Sequence, residues 1–239
     1  MAEPYLDCPS DWILATLEPD PHSELIVHVD SGGTPSTTVE EYWDGDIPWL
    51  TPKEITGFSN ALFISRTERC ITKLGLASSA AKLLPASTVM LSKRAPVGAV
   101  AVNAVPMATN QGFLNFSCGN RLRPVYFAFW LRANKPYLDK VANGSTYPEL
   151  YKNDLFEFQI YVPPIDLQDR IIEVLTALQF ASLLGMPLEQ SVTEPELMVK
   201  LQEQSRRLTE IRDVILPALL SGSLDVSVLR KKKLIGNSK

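Results

Sequence analysis

The sequence predicts an α+β fold: a mixed α/β domain over residues 1–164, followed by a helical, coiled-coil-like arm over residues 165–239. Three observations carry this. β-rich runs bounded by turn residues recur up to Val162. One helical pattern, opened by Pro124, interrupts them. Beyond Pro163-Pro164 the texture changes to apolar residues spaced four and three apart.

Pro9-Ser10-Asp11-Trp12 reads as a turn with an apolar anchor, and Ser31-Gly32-Gly33-Thr34-Pro35-Ser36-Thr37-Thr38 as a loop. Asp44 to Pro52 reads as a turn, a short extended piece and a second turn, because a residue before proline is driven toward β or polyproline geometry. Thr88–Ser92 and Val97–Val102 are strands joined by the charged Lys93-Arg94-Ala95-Pro96. A helix runs from Pro124 to about Val141 with Phe127, Leu131, Leu138 and Val141 on one side, and Asn143-Gly144-Ser145 ends it. Leu155 to Val162 is a closing strand.

After the double proline, Leu167, Ile171, Val174 and Leu178 mark a helix with Asp166 as its N-cap. Gly185 and Pro187 interrupt the pattern. A longer helix then runs from about Pro195 to Leu220, striped by Leu197, Leu201, Gln204, Leu208, Ile211, Ile215 and Leu219. Pro217 kinks it, Gly222 terminates it, and Arg230-Lys231-Lys232-Lys233 forms a basic tail. A long amphipathic helix outside a globular domain requires a partner for its stripe, by self-association or by docking on another subunit.

Composition narrows the class. Hydrophobic residues make up 45% and charged residues 21%, as in a soluble domain with a core. The acidic start Met1-Ala2-Glu3-Pro4 does not resemble a secretory leader, and no apolar run approaches the roughly 20 residues of a membrane span. A cytoplasmic chain is expected. Cys8, Cys70 and Cys118 are odd in number and far apart, which disfavours a disulfide framework or a zinc site.

The net charge of −4 conceals an asymmetry. Residues 1–54 hold twelve acids and one base, residues 55–165 five acids and twelve bases, and residues 166–239 ten of each; the sums −11, +7 and 0 give −4. A basic central segment suits a phosphate backbone. Mutual neutralisation of the first two segments within the fold accounts for it equally well.

Catalytic patterns are missing. There is no G-x-G-x-x-G and no G-x-x-x-x-G-K-[ST]. Val162-Pro163-Pro164-Ile165 lacks the polar and aromatic residues that hold a flipped base, and reads as a linker. Asp44 and Asp46, beside Glu40-Glu41, are the residues a metal-dependent nuclease would use, although carboxylates around a glycine are more often a solvated turn.

Several blocks, in order, resemble the specificity subunits of type I restriction–modification systems. They are Ser31 to Ser36; Tyr42-Trp43-Asp44-Gly45-Asp46-Ile47-Pro48-Trp49-Leu50-Thr51-Pro52-Lys53-Glu54-Ile55; Leu84-Pro85 through Gly98; Ala108-Thr109-Asn110-Gln111-Gly112-Phe113; and Asn143 to Tyr147 with Leu150. Pro163-Pro164 with Gln168-Arg170-Ile171, and Ile215 to Gly222, are similar to the family's helical regions. Full-length members alternate two target-recognition domains with two helical regions. This sequence has one of each and resembles a half-length form. Its stretch from about Gly185 to Thr193 is short for the family's spacer.

The resemblance implies a non-catalytic, sequence-specific DNA-binding subunit that directs a type I adenine-N6 methyltransferase/restriction complex to a bipartite target. Its implied partners are double-stranded DNA, modification subunits that use S-adenosylmethionine, a restriction subunit reached through the complex, and a second copy of the chain. No cofactor is expected in this chain. The alternative is an orphan half-subunit acting as a structural adaptor that docks on methyltransferase subunits without binding DNA.

Lys93 and Arg94 are the leading DNA-contact candidates, Arg as a fork and Lys as a point charge. Gly33, Thr34 and Ser36 permit a close approach to phosphate or form a plain turn. Asn110 and Gln111 read adenine or hydrogen-bond their own loop. Lys53, Arg121 and Arg123 are further DNA-binding candidates. Trp43 and Trp49 read as core. Dimerisation is assigned to Leu197, Leu201, Leu208, Ile211, Ile215 and Leu219.

Overall fold

A computed structural model of the chain describes residues 9–57, 61–142, 148–173 and 175–176. These fall into two compact units, one spanning Leu14–Ile160 and one made of the described residues before and after it.

Among the described residues, strands and short helices follow one another from Ile13 to Val162. Strand β1 is Ile13–Thr16, β2 Ile26–Ser31 and β3 Trp43–Leu50; α1 is Pro52–Gly57; β4 is Phe63–Ile64 and β5 Arg69–Ile71; α2 is Lys73–Ala77. Then come β6 Val89–Ser92, β7 Val100–Asn103, β8 Ala108–Thr109, β9 Phe113–Cys118, α3 Pro124–Ala133, α4 Lys135–Val141, α5 Lys152–Phe156 and β10 Gln159–Val162. A five-stranded sheet runs β2-β9-β6-β7-β4, a three-stranded sheet β5-β3-β8, and β1 pairs β10. The α+β class is therefore as the sequence predicts. The expected coiled-coil arm, including Leu197, Leu201, Leu208, Ile211, Ile215 and Leu219, lies outside the described residues.

The five-stranded sheet is antiparallel except at its edge, where β4 runs parallel to β7. Its centre is covered on both faces: every residue of β6 and β7 is buried. Alternation along β9 shows how the faces are divided. Phe113 joins Leu50, Ile55, Met90, Ala101 and Met107 in one cluster. Phe116, three residues on and on the opposite face, meets Phe127 of α3 edge-on, with ring centroids 5.2 Å apart.

Four elements differ from expectation. Asp44–Asp46 is a bulge inside one eight-residue strand, since Trp43 and Ile47 both register with Ile71; Asp44 takes φ +58°, and a Cβ on Gly45 would lie 2.6 Å from the Ile71 carbonyl oxygen. Pro52 opens a helix where a turn was expected, with Thr51 and Glu54 as its capping box: Glu54 Oε2 accepts from Thr51 N–H at 2.7 Å. The helix expected from Pro124 to Val141 breaks at Asn134. Pro136 has no N–H for the Arg132 carbonyl, and its ring would clash there in a continuous helix. α3 is buried all round from Tyr126 to Leu131, so it has no polar face to contrast with an apolar one. Finally, Leu155 lies in a short helix, Lys152–Phe156, and only Gln159–Val162 is strand. The buried positions step by three from Leu155 to Phe158 and then by two to Ile160 and Val162.

In the other unit, residues 165–173 are helical. Leu167 and Gln168 amides both donate to the Pro164 carbonyl, at 3.0 Å, so Asp166 sits in the first turn rather than at the N-cap, 3.6 Å from Arg170. Gln168, Ile171 and Leu175 are its buried positions, whereas Leu167 is only half-buried. Among the described residues, no helix is long and apolar enough to cross a membrane.

Candidate nucleic-acid interface

The registers of the large sheet bring several chain segments to one end. β2 runs antiparallel to β9 with Ser31 opposite Leu114, and β6 runs antiparallel to β9 with Ser92 opposite Phe113. The loop leaving β2, the turn entering β9 and the connection leaving β6 therefore meet. The amide of Asn110 donates to the Leu50 carbonyl at 3.0 Å, which adds the end of β3 and the start of α1. Gly33, Thr34, Ser36, Lys53, Lys93, Arg94, Asn110 and Gln111 all belong to these segments. Arg121 and Arg123 do not: they follow β9, whose six residues span roughly 20 Å.

The glycine loop is held from beneath. Gly33 N–H donates to the Thr109 carbonyl at 2.9 Å, and the Gly33 carbonyl accepts from Trp49 Nε1 at 2.9 Å. Trp43 Nε1 donates to the Ser36 carbonyl at 3.0 Å. Both tryptophans are buried core, as expected, meeting edge-on with centroids 5.1 Å apart. Gly33 is buried with both backbone groups engaged internally, which leaves Thr34 and Ser36 as the exposed positions. Thr34 Oγ1 donates to Gln111 Oε1 at 2.5 Å, and the Ser36 and Thr38 hydroxyls lie 2.9 Å apart.

In the turn entering β9, Asn110 Oδ1 accepts from Gly112 N–H at 2.8 Å, so its carbonyl oxygen shapes the loop while Gln111 stands exposed. Lys53 is exposed on α1.

Lys93 and Arg94 are organised by a residue the sequence reading did not single out. Glu149 Oε1 lies 3.0 Å from Lys93 Nζ, and its Oε2 lies 3.1 Å from Arg94 Nε. Burial opposes ionisation of Glu149, but the hydrogen bonds from Lys93 and Arg94 outweigh it and hold the carboxyl below its ordinary 4.5. No local pattern signals this acid, because its partners are far away in sequence. Arg69 was likewise missed; its guanidinium stacks 3.5 Å above the Trp43 ring.

Some acids of the first segment do pair with bases of the second, as in Asp30 with Lys82 and Glu24 with Arg121 at 3.7 Å. The Glu149 pairs lie wholly within the basic segment. Arg123 occupies the N-cap position of α3.

Comparison with known proteins matches this architecture. Residues 25–183 match the type I restriction modification DNA specificity domain. The chain is 37% identical over 170 residues to the type I restriction enzyme MjaIX specificity subunit of Methanocaldococcus jannaschii, covering 70% of this chain and 38% of that protein. It is 29% identical over 184 residues to the EcoR124I/EcoR124II specificity subunit of Escherichia coli, covering 74% and 44%. The crystal structure of the HsdS subunit from Thermoanaerobacter tengcongensis shares the fold, with a TM-score of 0.56 at 20% identity over 93% of this chain and 48% of that one. The chain thus spans less than half the length of these relatives. With the domain match covering most of the sequence, the chain belongs to the type I restriction–modification DNA specificity family.

Proposed function

We propose that this chain reads DNA sequence for a type I adenine-N6 methyltransferase/restriction complex and directs it to a bipartite target without catalysing a reaction itself. The observation that carries this reading is the convergence, at one end of one sheet, of exposed polar side chains and three bases from separate segments: Thr34, Ser36, Lys53, Lys93, Arg94 and Gln111. Loops on a rigid sheet that present donors, acceptors and cations together suit a surface meeting phosphates and base edges. Gly33 and Asn110 support that surface from below, and Arg121 and Arg123 are assigned a peripheral phosphate role.

The partners follow from the family and from the apolar stripe. They are double-stranded DNA, modification subunits, a restriction subunit reached through the complex, and a second copy paired through Leu197, Leu201, Leu208, Ile211, Ile215 and Leu219, in the cytoplasm. Six aliphatic residues at coiled-coil spacing require such a cover.

The test is to co-express the chain with its modification subunits and map methylated adenines with and without it. Binding to the mapped duplex and to a scrambled one is then measured across salt concentrations. A preference for the mapped duplex that weakens steeply with salt is expected. A complex that forms yet prefers neither duplex would overturn the reading and leave a protein-only adaptor.

A further inference from the structure

We infer that Glu149 is a positioning residue that presents Arg94 as a reading fork and withholds one positive charge from indiscriminate phosphate binding, an inference that rests on the DNA-reading function proposed above. The backbone on which the arrangement stands is fixed on both sides. Lys93 N–H donates to the Gly112 carbonyl at 2.8 Å, and the Lys93 carbonyl accepts from Leu150 N–H at 2.9 Å. The connection beyond is closed by Gly98 N–H on the Ser92 carbonyl at 2.9 Å and Ala99 N–H on Ser92 Oγ at 2.8 Å. Glu149, next to Leu150, reaches the two bases from a backbone already tied to theirs.

The two bases are not equivalent. The Lys93 and Glu149 side chains are each only 19% exposed, and Arg94 is 51% exposed. Lys93 is therefore the sheltered counter-charge, and Arg94 the group that faces outward. Glu149 Oε2 holds the Nε edge of the guanidinium at 3.1 Å. The terminal edge of a guanidinium, with its two Nη nitrogens, fits guanine O6/N7 or a phosphate in bidentate fashion, and Arg94 is the base exposed enough to offer it. Fixing the Nε edge beforehand removes rotamer freedom that binding would otherwise have to freeze. One carboxylate against two bases leaves a single net positive charge, so a random phosphate meets less attraction than two free bases would offer.

The test uses the complex with modification subunits, a duplex carrying the methylated sequence mapped in cells, and a scrambled duplex of equal length. Glu149→Gln should bind the scrambled duplex more tightly and with a steeper salt dependence. Its preference for the target should fall by about tenfold, within the range of one well-placed fork. Glu149→Asp, which keeps the charge, should return scrambled-duplex affinity to the wild-type value and recover part of the preference. It also serves as the test should Glu149→Gln fold poorly by circular dichroism. In an Arg94→Ala background, Glu149→Gln should cost no further preference, because the two act as one unit. Glu149→Gln with unchanged affinity and preference would overturn the inference, as would a loss of preference that persists undiminished in the Arg94→Ala background. A wild-type complex that prefers neither duplex would instead refute the DNA-reading function beneath it.

Discussion

Trp49 Nε1 donates to the Gly33 carbonyl across 2.9 Å, fastening the glycine loop to β3 from within the core. Both residues are buried, so water is a poor substitute partner. Trp49→Phe keeps an aromatic edge toward Trp43 but strands the Gly33 carbonyl. It should lower unfolding free energy by about 1–3 kcal/mol, read from urea denaturation. A midpoint equal to wild type would show that the bond contributes nothing net.

The next residue to test is Gly33 itself. A Cβ there would fall on the Ala80–Ala81 peptide and lie 2.9 Å from Ala80 Cα. Backbone cannot swing aside as a side-chain tip does. Gly33→Ala should therefore destabilise by roughly 1–3 kcal/mol or more through overpacking. Ser36→Ala, on the exposed part of the same loop, should stay within about 0.5 kcal/mol of wild type. Equal effects of the two substitutions would contradict this account.

How much of this was legible in the sequence depends on whether the signal is local. Strands β6 and β7 were, because Val89-Met90-Leu91 and Val100-Ala101-Val102 are apolar runs bounded by turns. The core role of Trp43 and Trp49 was too. The helix break at Asn134 was passed over, although Pro136 announces it. The Asp44–Asp46 bulge reads locally as a turn, and only its register against Ile71 makes it part of a strand. Glu149 was invisible because its meaning comes from Lys93 and Arg94, which the fold alone brings to it. The candidate site was read as residue types in loops. That most of these loops share one sheet end follows from strand registers that a single sequence does not state.

Glu149 gives the protein a pH dependence with a definite sign. Its folded-state value lies below 4.5, held there by hydrogen bonds from Lys93 and Arg94 that outweigh burial. The clamp's stabilising contribution is therefore complete above about pH 5 and is lost as pH falls through the folded-state value. Wild type and Glu149→Gln should differ in urea stability at pH 7, and the gap should narrow as the acid is protonated. A gap that stays constant down to pH 3 would mean that the ion pairs do not cause it.

Burial pushes the Cys118 thiol up to about 12 from its ordinary 9.0. At pH 8 its thiolate fraction in the folded protein is then about a thousandfold lower than in the unfolded chain. Iodoacetamide should label Cys118 very slowly until urea unfolds the protein, as followed by peptide mass spectrometry. The raised value also means that stability declines as pH rises above the ordinary thiol range, where only the unfolded chain ionises there. Rapid native-state labelling of Cys118, which is only part-buried, would show that its thiol keeps ordinary reactivity in the folded protein.

The two ends of the large sheet separate the candidate bases into testable groups. Lys93 and Arg94 follow β6 at the end where Thr34 and Gln111 meet, whereas Arg121 and Arg123 follow β9 roughly 20 Å away. Salt dependence counts phosphate contacts, at close to one unit of log–log slope per contact. Replacing Lys93 and Arg94 together by Ala removes the exposed fork and leaves Glu149 as an unpaired negative charge facing the same phosphates. Affinity of the assembled complex for duplex DNA should fall, and the slope should become shallower by about one unit, because Lys93 is already neutralised by Glu149 and Arg94 carries the contact. Replacing Arg121 and Arg123 together should leave the preference for the methylated sequence unchanged and make the slope shallower by less than the Lys93 and Arg94 pair does, because they meet phosphate only at the margin of the interface. The reverse pattern, with the slope carried by Arg121 and Arg123, would place DNA at the opposite end of the sheet from the loops joined by Thr34 and Gln111.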